Sequence, residues 1–167
     1  MIQKKICMFG AAGVGKTSLV QRYVQSIYSG KYHVTIGVKI DKKATSVNGQ
    51  DVNLLLWDFQ GEDNEHKIRT SFLRGASGYL LVIDYTRHET FVTAFSIQKM
   101  IENELGKIPF IILLNKSDLV DNFEISDEEI SEIQNQYGWQ VMKTSALTGE
   151  MVEEAFTSLT EKMLDNT

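Results

Sequence analysis

Short apolar runs alternate along this chain with stretches of helical period, and the alternation predicts an α/β fold whose mostly parallel sheet is covered by helices on both faces. The strand-like runs are Lys5 to Phe9, Val38 to Val47, Asp51 to Trp57, Gly78 to Asp84, Phe110 to Asn115 and Gln140 to Thr144, six in all. Helical patterns occupy Lys16 to Gln25, Glu65 to Arg74, Glu89 to Glu104, Ser126 to Tyr137 and Glu150 to Leu164, five in all. Asn48-Gly49 joins the second and third strands. That pair accepts the positive φ angles of a two-residue hairpin, so these strands are predicted to be antiparallel and to form one edge. Ser126 ahead of Asp127, Glu128 and Glu129 reads as an N-cap followed by negative charge at the positive end of a helix.

In sheets of this kind ligands bind beyond the carboxyl ends of the strands, so chemistry is sought in the residues that follow each run. The first run leads into Gly10-Ala11-Ala12-Gly13-Val14-Gly15-Lys16-Thr17. This is a glycine, four free positions, then Gly-Lys-Thr, the pattern of a phosphate-binding loop between a strand and a helix. The glycines let backbone N–H groups turn inward, and the helix that begins beyond them turns its positive end to the same place. The candidate contacts to a nucleoside polyphosphate are Ala12, Gly13, Val14, Gly15, Lys16, Thr17 and Ser18. Lys16 reaches the outer phosphates, and the Thr17 hydroxyl is a candidate Mg²⁺ ligand.

Asp58-Phe59-Gln60-Gly61 follows Leu54-Leu55-Leu56-Trp57. Alone it is a common turn sequence. Beside a phosphate loop, Asp58 becomes a candidate to hold Mg²⁺ through water, and Gly61 lets its N–H approach a terminal phosphate. Asn115-Lys116-Ser117-Asp118 follows the fifth run. The Asp118 carboxylate can accept both the ring N–H and the exocyclic amino group of guanine, whereas adenine would leave the charge unpaired. Lys116 can lay its stem over one face of the base. Ser145-Ala146-Leu147 follows the sixth run, where a backbone N–H can meet the guanine carbonyl oxygen.

Composition narrows the alternatives. The chain has 167 residues, 43% hydrophobic, with one proline. That is enough for a full core in one domain and offers no linker to a second. A net charge of −5 with no Lys/Arg cluster argues against a nucleic-acid surface. The lone Cys7 reads as a small buried hydrophobe in a reducing, cytoplasmic setting. No signal sequence or membrane-length apolar run stands out. Trp57 and Trp139 read as core or boundary residues. His33, His66 and His88 lack metal-ligand spacing and read as solvated side chains.

Taken together, the phosphate loop, Asp58 to Gly61, Asn115 to Asp118 and Ser145 to Leu147 resemble the Ras superfamily of small GTP-binding proteins, most closely its Rab-like branch. The resemblance covers nearly all of the chain and implies a P-loop NTPase fold forming a single G domain over 1–167. Tyr32-His33-Val34-Thr35-Ile36-Gly37-Val38 resembles the first switch segment of Rab proteins, and Leu73-Arg74-Gly75-Ala76-Ser77-Gly78 resembles the run after their second switch. The resemblance implies that Thr35 completes the Mg²⁺ shell and senses the γ-phosphate, that Tyr28 packs against the guanine edge, and that Tyr32 closes over the phosphates. It also implies an exchange factor, a GTPase-activating protein and effectors acting at the switch regions.

Some positions depart from the family. Asp58-Phe59-Gln60-Gly61-Glu62-Asp63 stands where the family shows Asp-Thr-Ala-Gly-Gln-Glu, so Glu62 replaces the glutamine that orients the attacking water. A carboxylate keeps an acceptor, loses the amide donor and adds charge beside an already anionic transition state, which predicts slow hydrolysis. The opposing argument is that a carboxylate of raised pKa takes a proton from the water. The neighbourhood of Lys31 supplies no arginine in cis. Leu147 replaces a common lysine, and the final residues carry neither a prenylatable cysteine nor a basic tail, so no direct membrane anchor is expected in this chain. The reading is a GTP- and Mg²⁺-dependent molecular switch and slow GTPase with catalytic candidates Lys16, Thr35, Gly61 and Glu62. The alternatives are a non-hydrolysing GTP-binding module and the G domain of a larger protein. A nucleotide kinase would need an arginine-rich lid, which the sequence does not offer.

Overall fold

A computed structural model of the chain describes residues 1–26, 37–59 and 70–166. The elements in chain order are β1 (Ile2–Phe9), α1 (Lys16–Gln25), β2 (Val38–Val47), β3 (Gln50–Phe59), α2 (Thr70–Leu73), β4 (Ala76–Asp84), α3 (His88–Leu105), β5 (Phe110–Asn115), α4 (Asp127–Tyr137), β6 (Val141–Thr144) and α5 (Val152–Asp165). The strands form one six-stranded sheet in the order β2-β3-β1-β4-β5-β6. All neighbours pair in parallel except β2 and β3. This is the α/β architecture with one antiparallel edge strand that the apolar pattern predicts, and the P-loop NTPase fold that the resemblance implies.

The hairpin follows from its turn. Asn48 and Gly49 both take positive φ, 52° and 79°. Their twist matches that of the paired strands, which stay in register from Val47↔Gln50 to Val38↔Phe59. As an edge strand, β2 is mostly exposed or half-exposed, whereas β4 and β5 are almost wholly buried. Strands covered on both faces have no use for alternation, which explains their continuous apolar runs.

Within β1, the period of two sends alternate side chains to opposite layers. Ile6 and Met8 join Leu54, Leu56, Leu80, Val82, Ile111 and Leu113 beneath α1 and α5. Cys7 and Phe9 join Tyr79, Leu81, Ile83, Ile112 and Leu114 beneath α3 and α4. The first layer is pinned by Tyr23 of α1 stacked on Phe156 of α5 at 4.0 Å between ring centroids. Burial raises the Cys7 thiol pKa to about 12, so it behaves as the packing residue the sequence suggests.

Several boundaries shift for identifiable reasons. β1 starts at Ile2, because Ile2, Gln3 and Lys4 pair with Val52, Asn53 and Leu54 although the polar side chains of Gln3 and Lys4 interrupt the apolar run. β3 runs past Trp57 to Phe59, which places Asp58 inside the strand opposite Lys39 instead of after it. The last helix begins at Val152 rather than Glu150, since Gly149 and Met151 take left-handed φ of 86° and 57°. Ser126 caps α4 as its sequence suggests, accepting from the Glu129 amide at 3.1 Å. Of the second helical pattern, residues 65–69 lie outside the described residues. No helix among the described residues is long and apolar enough to cross a membrane.

Candidate functional site

The parallel strands β4, β5 and β6 end in one line. In the register of the sheet, Asp84 of β4 pairs with Asn115 of β5, and Asn115 pairs with Thr144 of β6. The chain therefore turns from apolar to polar at the same level on β4, β5 and β6, three residues beyond the level at which β1 ends, since Phe9 pairs with Leu81. The loops leaving these ends meet there.

After Phe9 the chain turns through Gly10, Gly13 and Gly15, all at positive φ. At Gly15 (φ 104°) a Cβ would collide with the Asn115 side chain, so only glycine permits the approach. Lys16 opens α1 and folds its ammonium back over the loop, donating to the carbonyls of Gly10 at 2.8 Å and Ala11 at 3.2 Å, with 5% of the residue exposed. The next carbonyls are drawn the other way. Ala12 accepts from Arg87 Nη2 at 2.8 Å, Gly13 from Lys116 Nζ at 3.1 Å and Val14 from Asn115 Nδ2 at 2.9 Å. In a planar trans peptide the C=O and the following N–H point in opposite directions. Holding the carbonyls of Ala12, Gly13 and Val14 on the outside therefore turns the N–H groups of Gly13, Val14 and Gly15 inward, a concavity suited to an anion. Ser18 follows in the first turn of α1.

One turn into the site, Thr17 Oγ1 donates to Asp58 Oδ2 at 2.6 Å, across 41 positions of sequence. Asp58 is 1% exposed. A hydroxyl and a carboxylate brought together at the mouth of a phosphate loop are the hard oxygen donors that suit Mg²⁺, so the residues present fit that ion.

The other end of the site is built on β5 and β6. Asn115 is braced on both sides, with Nδ2 on the Val14 carbonyl and Oδ1 accepting from Thr144 Oγ1 at 3.2 Å. Lys116 takes a left-handed φ of 70° and sends Nζ to both Gly13 and Asp84. Asp118 Oδ1 accepts from Ser145 Oγ at 2.7 Å, which orients the carboxylate, and Ser145 Oγ itself accepts from the Thr148 amide at 3.1 Å. Ser145 and Ala146 are buried, while Leu147 is 50% exposed.

The structure thus brings Ala12 to Ser18, Asp58, Asn115, Lys116, Asp118 and Ser145 to Leu147 around one end of the sheet. Tyr28, Tyr32, Thr35, Gly61 and Glu62 lie outside the described residues, as do His33 and His66. His88 is only half-exposed and its ring lies 3.1 Å from Glu129 Oε2, so it is less free than a solvated side chain. The sequence reading missed Asp84 and Arg87. The signal was present, because Asp84 ends an apolar strand at the level where the other site residues stand. Burial alone would raise the Asp84 pKa, but its bonds from Lys116 and Thr86 outweigh that and hold it below the usual carboxylate range.

A model of the Ras family matches residues 5–165, and the chain belongs to that family of small GTPases. Its relatives are Rab-like. The chain is 31% identical to the human (Homo sapiens) Ras-related protein Rab-27B, over 96% of this chain and 79% of that protein. It is 34% identical to the Ras-related protein Rab-4A of Bos taurus, over 96% and 74% respectively, and 31% identical to Ras-related protein Rab-13 of Canis lupus familiaris, over 96% and 79%. Membership carries guanine-nucleotide binding and GTPase activity, and members of the family interact with regulators and effectors.

Proposed function

We propose that this chain is a single G domain that alternates between GTP- and GDP-bound forms, hydrolyses GTP slowly by itself, and presents its switch loops to effectors in the cytoplasm. The observation that carries the reading is the mutual bonding of three loops at one end of the sheet: Asn115 and Lys116 on the carbonyls of Val14 and Gly13, and Ser145 on Asp118. A phosphate cradle and a base-reading carboxylate are thereby fixed at one separation, as a nucleotide requires.

In this reading the N–H groups of Gly13, Val14 and Gly15 and the first turn of α1 receive the phosphates, with Ala12 and Ser18 at the two margins. Lys16 exchanges its carbonyl partners for phosphate oxygens. Thr17 and Asp58, joined by Thr35, hold Mg²⁺, which when bound neutralises charge on the outer phosphates. Asp118 accepts the two guanine donors, Lys116 covers one face of the base, Asn115 braces the loop, and Ser145, Ala146 and Leu147 line the base edge. Tyr28 packs against the guanine edge and Tyr32 closes over the phosphates. Gly61 brings its N–H to the γ-phosphate, and Glu62 positions the water with an acceptor but no amide donor, which keeps turnover slow. An exchange factor, a GTPase-activating protein with an arginine supplied in trans, and effectors act at the loops that order and relax.

Glu62 also favours a second reading, a GTP-binding module without useful hydrolysis. Two measurements test both. GTP and GDP, but not ATP, are expected to displace a fluorescent guanine nucleotide, and equal displacement by ATP would overturn the proposal. Release of γ-phosphate in a single turnover, alone and with cell extract, separates a slow GTPase from a module that never turns over.

A further inference from the structure

Asp84, at the end of β4, is 1% exposed, and a carboxylate so far from water is tolerated only when thoroughly paired. Its Oδ1 accepts from the Thr86 amide at 2.9 Å and hydroxyl at 2.6 Å. Its Oδ2 accepts from Lys116 Nζ at 2.8 Å and lies 3.4 Å from Arg87 Nε. Both cations then continue to the phosphate loop: Arg87 Nη2 reaches the Ala12 carbonyl at 2.8 Å and Lys116 Nζ the Gly13 carbonyl at 3.1 Å. One buried anion thus carries two charged donors aimed at consecutive carbonyls.

Those carbonyls flank Gly13, at φ 77°. Glycine populates both signs of φ readily, so the Ala12–Gly13 and Gly13–Val14 peptides are among those in this loop most easily turned over. Turning either would point a carbonyl, not an N–H, at a phosphate. Resting on the guanine-nucleotide site proposed above, we propose that Asp84 and Arg87 are positioning residues for nucleotide retention. Arg87 fixes the first peptide, Lys116 fixes the second, and Asp84 holds both cations at one spacing, so that the phosphate loop stays in register with the base-reading loop. Without the clamp the competent loop is only fractionally populated, and the nucleotide is held less tightly by that fraction.

The test is the rate at which the purified chain releases fluorescent GDP in the presence of excess unlabelled GDP, with melting followed in parallel. Arg87→Ala is expected to release GDP about tenfold faster, the effect of one charged hydrogen bond. Arg87→Lys, whose single ammonium cannot serve Asp84 and Ala12 with the geometry of a guanidinium, should fall between it and the parent. Asp84→Asn keeps the shape, frees both cations and is expected to be faster than either. Since Asp84→Asn already lets Arg87 go, adding Arg87→Ala should give little further gain. Variants that melt earlier yet release GDP at the parent's rate, or effects that multiply in the double variant, would overturn the proposal. If Asp84→Asn does not fold, the graded order of parent, Arg87→Lys and Arg87→Ala decides alone, since this side chain is 38% exposed. A parent that holds GDP while the Arg87 variants match it overturns only the clamp; a parent that holds none overturns the proposed function as well.

Discussion

The phosphate end and the base end of the site are held by different means. Lys16 bonds to carbonyls five and six positions before it, inside one contiguous motif. At the base end, Asn115 reaches Val14 across 101 positions, Lys116 reaches Gly13 across 103, and Ser145 reaches Asp118 across 27. The first arrangement is encoded by a short stretch of chain. The second exists only once β4, β5 and β6 lie parallel with their ends level, beside the loop that leaves β1. In the proposed site base recognition is therefore tied to the integrity of the sheet, as is the outward hold on the Ala12, Gly13 and Val14 carbonyls, while the fold-back of Lys16 over its own loop is written locally.

The largest effect should come from the base end. In the proposed site, Asp118→Asn replaces the acceptor of two guanine donors by an amide, whose N–H suits the extra ring carbonyl of xanthine. Sites that read by buried hydrogen bonds reject the wrong partner by about 10⁴-fold, so the preference for guanine over xanthine nucleotides is expected to move by that order. Competition between GTP and xanthosine triphosphate measures it. An unchanged preference would mean that the base is read elsewhere.

Lys16→Ala attacks the other end. Loss of a charged contact worth about 1.5 to 3 kcal/mol should weaken GDP and GTP alike by roughly 10- to 150-fold, without changing which base is preferred. That pairing of outcomes, affinity from one end and selectivity from the other, is what equilibrium titration of the two variants checks. Normal binding by Lys16→Ala would dismiss the phosphate-loop assignment.

The same contrast explains how much could be read from the chain. Gly10 to Thr17 is legible because its spacing alone implies strand, loop and helix. Asn48-Gly49 is legible because few sequences other than this accept two positive φ angles in a row. The parallel core is legible because strands buried on both faces must be apolar throughout. Asp84 and Arg87 escape such a reading because their meaning lies in partners far along the chain, Lys116 32 positions from Asp84 and Ala12 75 positions from Arg87. The apolar pattern sets Asp58 after its strand because an aspartate ordinarily ends an apolar run; here pairing with Lys39 carries the strand through it. Ile2 to Lys4 escape the pattern because hydrogen bonding to β3 does not require apolar side chains.

In the role proposed for Glu62 beside the γ-phosphate, Glu62→Gln restores the amide donor and removes a charge. If those two are what slow hydrolysis, intrinsic single-turnover hydrolysis should rise about tenfold, a barrier change near 1.4 kcal/mol, with nucleotide affinity unchanged and Glu62→Ala costing little. If Glu62 is a base, both variants fall below the parent and the parent's rate rises with pH through the carboxylate's pKa. A slower Glu62→Gln would refute the slow-GTPase account of this residue.

The smallest effect should follow Leu147→Lys, which restores the residue common in the family. Leu147 is half-exposed, while its neighbours Ser145 and Ala146 are buried. Ser145 anchors the loop by its hydroxyl on Asp118 and by its backbone, its N–H donating to the Glu150 carbonyl at 3.1 Å and its carbonyl accepting from the Gly149 N–H at 2.8 Å. None of these bonds involves the Leu147 side chain. Exposed substitutions away from such contacts stay within about 0.5 kcal/mol, so guanine affinity should change by no more than about twofold and selectivity against ATP not at all. Titration with GDP and competition with ATP check both. A change of tenfold would mean that this side chain, and not only the backbone and Asp118, grips the base, and the division of labour between the two ends would have to be redrawn.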